Sequence, residues 1–81
     1  MNDFRRKQVD KVIDKLEVIK ADLRNICDNE QEDLGNIPER FQGTWYYEIC
    51  EEAVSNLEEA YDALDSALKY LETAQSKGEE Q

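Results

Sequence analysis

From Trp45 to Ser76 the apolar residues keep a seven-residue rhythm. Cys50, Leu57, Leu64 and Leu71 hold one place in the repeat, and Ala53, Ala60, Ala67 and Ala74 hold the place three residues on. Alternating steps of three and four put these eight side chains on one seam of an α-helix. The alanines admit a neighbouring backbone closely and the leucines fill the layers between. Two more rows flank the seam: Val54, Tyr61 and Leu68 on one side, Ile49, Ala63 and Tyr70 on the other. An apolar arc this wide exceeds what one partner helix covers.

The amino-terminal part carries the matching pattern, and a first helix is predicted over 3–28. Val9, Val12, Leu16, Ile19, Leu23 and Ile26 step by three and four, with Ile13 and Cys27 widening the stripe. Asn2 or Asp3 suits the N-cap. The periodicity then breaks over a connection at 29–44. An acidic run leads into it (Asp28, then Glu30, Glu32 and Asp33), and it holds the turn signal Gly35-Asn36 and Pro38, which bars a helix from continuing through it. Residues 38–42 suit one short helical turn with Pro38 at its start, with Ile37 and Phe41 folding over the hairpin end as a lid. Thr44 is placed to cap a second helix over 45–76, and 77–81 read as a frayed tail.

These elements predict an all-α fold: a single antiparallel helical hairpin of two long helices. Laying one seam on the other sets Ile26 and Leu23 beside Ala53 and Leu57, Ile19 and Leu16 beside Ala60 and Leu64, and Val12 and Val9 beside Ala67 and Leu71. Such a pair has no interior of its own. Association into a homodimeric four-helix bundle, or a higher oligomer, through Ile13, Val54, Tyr61 and Leu68 is expected to cover the surplus apolar surface.

Composition narrows the partners. At 81 residues the chain is one small domain, and twenty acids against ten bases give a net charge of −10. That excludes general nucleic-acid binding, which depends on clustered Lys and Arg. The charge is polarised: residues 1–24 hold seven bases and five acids, whereas 25–81 hold three bases and fifteen acids. An acidic part of this kind attracts a partner with a basic surface.

Catalytic chemistry finds little support. The chain has no His, no nucleophile beside a base and no glycine-rich phosphate loop, so an enzyme is not expected and no cofactor is called for. A calcium loop counted from Asp28 has Asp33 where glycine is required, so no metal site is expected. No apolar run approaches the ~18 residues of a membrane span, and no signal peptide opens the sequence. The expected setting is cytoplasmic, with Cys27 and Cys50 reduced.

The segment from Leu34 to Thr44 (Leu-Gly-Asn-Ile-Pro-Glu-Arg-Phe-Gln-Gly-Thr), with Glu48, Glu51-Glu52-Ala53 and the Leu-Glu-x-Ala repeats from Leu57 on, resembles a group of small acidic phage and prophage proteins. In that group an Asn-hydrophobic-Pro-Glu-x-x-Gln turn joins two helices. The resemblance spans roughly 9–74 and departs after Thr44, where Trp45-Tyr46-Tyr47 replaces a more polar stretch. It implies a phage-related helical hairpin and hands over no activity and no site residues.

The expected function is therefore a non-enzymatic, self-associating protein-interaction module. Its candidate partner-binding residues are Glu48, Glu51, Glu52, Glu58, Glu59 and Asp62, with Trp45, Tyr46 and Tyr47 as aromatic anchors. A sharper form is an acidic nucleic-acid mimic that inhibits a host defence or DNA-processing protein. The alternative is an assembly component of a virion or scaffold. A remote third is a sponge for a small anionic nucleotide, using Arg5, Arg6 and Lys7 brought together by oligomer symmetry.

Overall fold

A computed structural model describes residues 1–77, and it consists of helix α1 (Asp3–Gly35), a 3-10 turn (Glu39–Phe41) and helix α2 (Trp45–Lys77). No strand occurs among the described residues. The two helices pack antiparallel along their length, as the hairpin reading expects, into a rod of 61 × 16 × 14 Å. The segment 78–81, most of the expected tail, lies outside the described residues.

Both helix starts follow from capping chemistry. Asn2 accepts the Arg5 N–H on its side chain at 2.7 Å. Thr44 accepts the Tyr47 N–H on Oγ1 at 3.3 Å while its hydroxyl donates to the Phe41 carbonyl at 2.6 Å. Gly43, with φ at +86°, turns the chain into that cap.

The first helix overruns its expected end at residue 28 by two turns. Asn29 to Asp33 are exposed, and a solvated acidic run has no quarrel with helical backbone beyond a small dipole penalty. Leu34, one heptad after Cys27, adds a half-buried contact that rewards the extension. The stop comes from Pro38, which forces the preceding residue out of the helical region. The last orphan groups are met locally: the Asn36 N–H is shared by the Glu32 and Asp33 carbonyls, both at 3.1 Å. Of the expected lid, Ile37 is half-buried, but Phe41 stays exposed with the Arg40 guanidinium 4.8 Å from its ring.

The seam itself differs from the one expected. The buried apolar residues are Ile13, Cys27, Val54 and Leu68, and the half-buried Val9, Leu16, Leu23, Tyr47, Leu57, Tyr61, Leu64 and Leu71 lie between them. On α2 the leucines keep their place, but Val54, Tyr61 and Leu68 face α1 where Ala53, Ala60 and Ala67 were expected to. The physical reason is area: burying Val, Tyr and Leu removes far more apolar surface from water than burying three alanines. On α1 the matching row is Ile13, Lys20 and Cys27, which leaves Val12, Ile19 and Ile26 exposed at 46%, 51% and 51%. The residues expected to join two copies, Ile13, Val54, Tyr61 and Leu68, are thus spent inside one hairpin.

Candidate interaction surfaces

Register decides which side chains share a flank. Lys20 reaches Asp65 at 2.6 Å and lies 5.0 Å from the centre of the Tyr61 ring; Arg24 lies 5.4 Å from the same ring. At the open end Gln75 donates to the Arg6 carbonyl at 3.3 Å and to the Asp10 carboxylate. In this register Ile13 lies level with Leu68 and Cys27 with Val54.

One flank is polar. Glu17, Lys20, Arg24, Asn25, Tyr61, Asp65, Lys69 and Glu72 line an open groove of about 630 Å³ between the helices. Asp65 sits between Lys20 and Lys69, the latter 3.2 Å away, and these two bonds, Lys20 first, hold its carboxyl below the usual carboxylate range. The same hydrogen bond to Asp65 holds the Lys20 ammonium above the ordinary lysine value. Every cation in the groove has a carboxylate or an aromatic face beside it, so the groove is internally compensated.

The opposite flank is apolar. Val12, Ile19 and Ile26 each stand one residue before Ile13, Lys20 and Cys27; Ala53, Ala60 and Ala67 each stand one before Val54, Tyr61 and Leu68. The groove collects from both helices the residues that follow the seam on one side. The residues that precede it therefore share the other flank, as antiparallel pairing requires. Ile49 and Tyr70, both exposed, border this stripe on α2.

The expected partner-binding acids all stand free. Glu48, Glu51, Glu52, Glu58, Glu59 and Asp62 are exposed along α2, spread from the polar flank (Glu51, Glu58) to the helix back (Glu52, Glu59). The aromatic triplet divides, because successive helical side chains point ~100° apart. Trp45 and Tyr46 are 76% and 62% exposed, whereas Tyr47 packs half-buried into the seam. The Tyr46 phenol is pushed above its ordinary value, chiefly by the neighbouring Cys50 thiol and then by burial and the acids Glu30 and Asp33. Cys27 and Cys50 are both free thiols.

Arg5, Arg6 and Lys7 differ in their settings within one chain. Arg6 pairs with Asp3 at 2.7 Å and its side chain folds onto the open end, while Arg5 and Lys7 are exposed. Among the described residues no group of His, Cys, Asp and Glu is placed to hold a metal ion, and no helix is long and apolar enough to cross a membrane. Comparison with family models, with curated proteins and with solved structures finds no match.

Sequence reasoning missed the stripe of Val12, Ile19 and Ile26 as outer surface. The available signal was electrostatic: Lys20 stands at a heptad position facing Tyr61 and Asp65 across the helix pair.

Proposed function

We propose that this chain is a non-catalytic interaction module that works as a self-associated helical hairpin and engages a partner protein with a basic surface. One observation carries the reading: the apolar stripe lies on one flank of the rod, and the exposed acids cover the back of α2 and its polar flank, so covering the first leaves the second free. The acidic stripe has the density of a nucleic-acid strand within a small factor. Six free carboxylates from Glu48 to Asp62 fall along ~21 Å of helix, against one phosphate per ~3.4 Å of a DNA strand. With the phage-type turn at 34–44, this supports an inhibitor that occupies the nucleic-acid groove of a host defence or DNA-processing protein.

Charge reversal at Glu58, Glu59 and Asp62 tests the division of labour. The triple variant loses the partner and keeps its self-association, and wild-type binding weakens as salt rises to physiological levels, because exposed charges are screened over ~8–10 Å. Binding indifferent to both changes removes the mimic.

The second reading, an assembly component, draws on the closed end of the hairpin, where Phe41, Trp45, Tyr46 and Ile49 are all exposed. Under that reading Trp45→Ala with Tyr46→Ala loses the partner, and charge reversal leaves it bound.

A further inference from the structure

The apolar stripe has a centre, and the charge along the rod has a direction. Val12, Ile19 and Ile26 are centred on Ile19, and Ala53, Ala60 and Ala67 on Ala60; each lies near the middle of its 33-residue helix. Reversing one hairpin end for end over another therefore loses no overlap of the two stripes. Charge, in contrast, differs between the ends. The closed end, residues 28–52, carries Asp28, Glu30, Glu32, Asp33, Glu39, Glu48, Glu51 and Glu52 against Arg40 alone. The open end starts with Arg5, Arg6, Lys7, Lys11 and Lys15 against Asp3, Asp10 and Asp14, and residues 66–77 add Lys69 and Lys77 against Glu72.

Resting on the self-association proposed above, we infer that the occupant of the apolar flank is a second copy of this chain laid with its closed end over the first copy's open end. Steric layering does not choose between orientations, since either one builds layers of two branched and two alanine side chains. Electrostatics does. Closed end on closed end stacks two strongly acidic tips within ~10 Å, inside a Debye length; closed end on open end sets each acidic tip beside a cluster of bases. On α2 the row runs ~32 Å from Ala53 to Ala74 and on α1 ~21 Å from Val12 to Ile26, so with half of the 16 Å rod width for each helix it projects roughly 400 Å², the scale of a weak, concentration-dependent contact.

A functional consequence follows. The dimer carries one copy of the Phe41, Trp45 and Tyr46 tip at each end, so two partner molecules, or two sites on one, can be engaged by a single rod.

Spin labels report the orientation directly. With Asn36→Cys labelled in a Cys27→Ala, Cys50→Ala background, the inter-label distance approaches the 61 Å length of the rod. A distance of ~10–20 Å overturns the orientation and leaves self-association standing. Absence of any inter-label distance, with the sedimentation mass of one chain, overturns both. Should the cysteine-free background fail to fold, carboxylate-to-amine coupling on a mixture of isotopically light and heavy wild-type protein replaces it. Mixed-isotope links joining Glu30, Asp33 or Glu48 to Lys7 or Lys11 are expected. Inter-chain links confined to one end of the rod contradict the arrangement.

Discussion

Lys20 stands in the middle of the helix–helix seam and donates to Asp65 across it at 2.6 Å, with the Tyr61 ring below its ammonium. The pair is half-exposed, with side-chain accessibilities of 23% and 38%, so its role is to set register more than to add stability.

The pair gives the fold a pH signature. The Asp65 carboxyl is held below its unfolded value, so its contribution is present above the usual carboxylate value of ~3.9 and is lost as pH falls through the folded one. The Lys20 ammonium is held above its unfolded value, so its contribution is present below the usual lysine value and is lost as pH rises through the folded one. Wild type should melt above Asp65→Asn at pH 7, and the gap should close below about pH 4. A gap independent of pH would mean that the pair adds nothing.

Two glycines should respond to alanine with opposite signs. Gly43 has φ at +86° and open space around its Cβ position, so Gly43→Ala meets only backbone strain and should cost about 1 kcal/mol. Gly35 ends α1 without a left-handed backbone and is equally open, so Gly35→Ala should stabilise by roughly 0.5–1 kcal/mol. Denaturant titration of both variants decides it.

The connection has a third test in Thr44, whose Oγ1 caps α2. Thr44→Ala should cost about 1 kcal/mol, and Thr44→Ser or Thr44→Asp should restore most of it. Equal losses in all three would place the effect elsewhere than the cap.

Inner and outer rows should separate by concentration dependence. Leu68→Ala, at a buried seam position, should destabilise the hairpin by roughly 2 kcal/mol at every protein concentration. Ile19→Ala, on the outer stripe, should cost little in a dilute sample and should flatten the rise of melting temperature with concentration.

The hairpin, both caps and the broad apolar arc of α2 were legible in the sequence, because periodicity and capping are local properties. The choice of seam was not. In α2 two rows beside the leucines are apolar, Val54-Tyr61-Leu68 and Ala53-Ala60-Ala67, and periodicity weighs them alike. In α1 counting apolar residues favours Val12-Ile19-Ile26 over Ile13-Lys20-Cys27, because Lys20 breaks the second row. The decision rests on a long-range match, Lys20 with Tyr61 and Asp65, that no window along the chain contains. The end of α1 was misplaced for a similar reason: an acidic run reads as a break, yet the stop belongs to Pro38. The free acidic stripe was legible because a charged row on an amphipathic helix has nowhere to go but solvent.

Sedimentation equilibrium on wild type and Ile19→Lys, run side by side across a wide range of loading concentrations, tests the central claim most directly. Wild type should approach twice the 9.5 kDa chain mass as concentration rises, and Ile19→Lys should stay at one chain mass with its helical content intact. A wild-type protein that remains at 9.5 kDa throughout, as fully helical as the variant, would contradict self-association through the Val12, Ile19 and Ile26 flank.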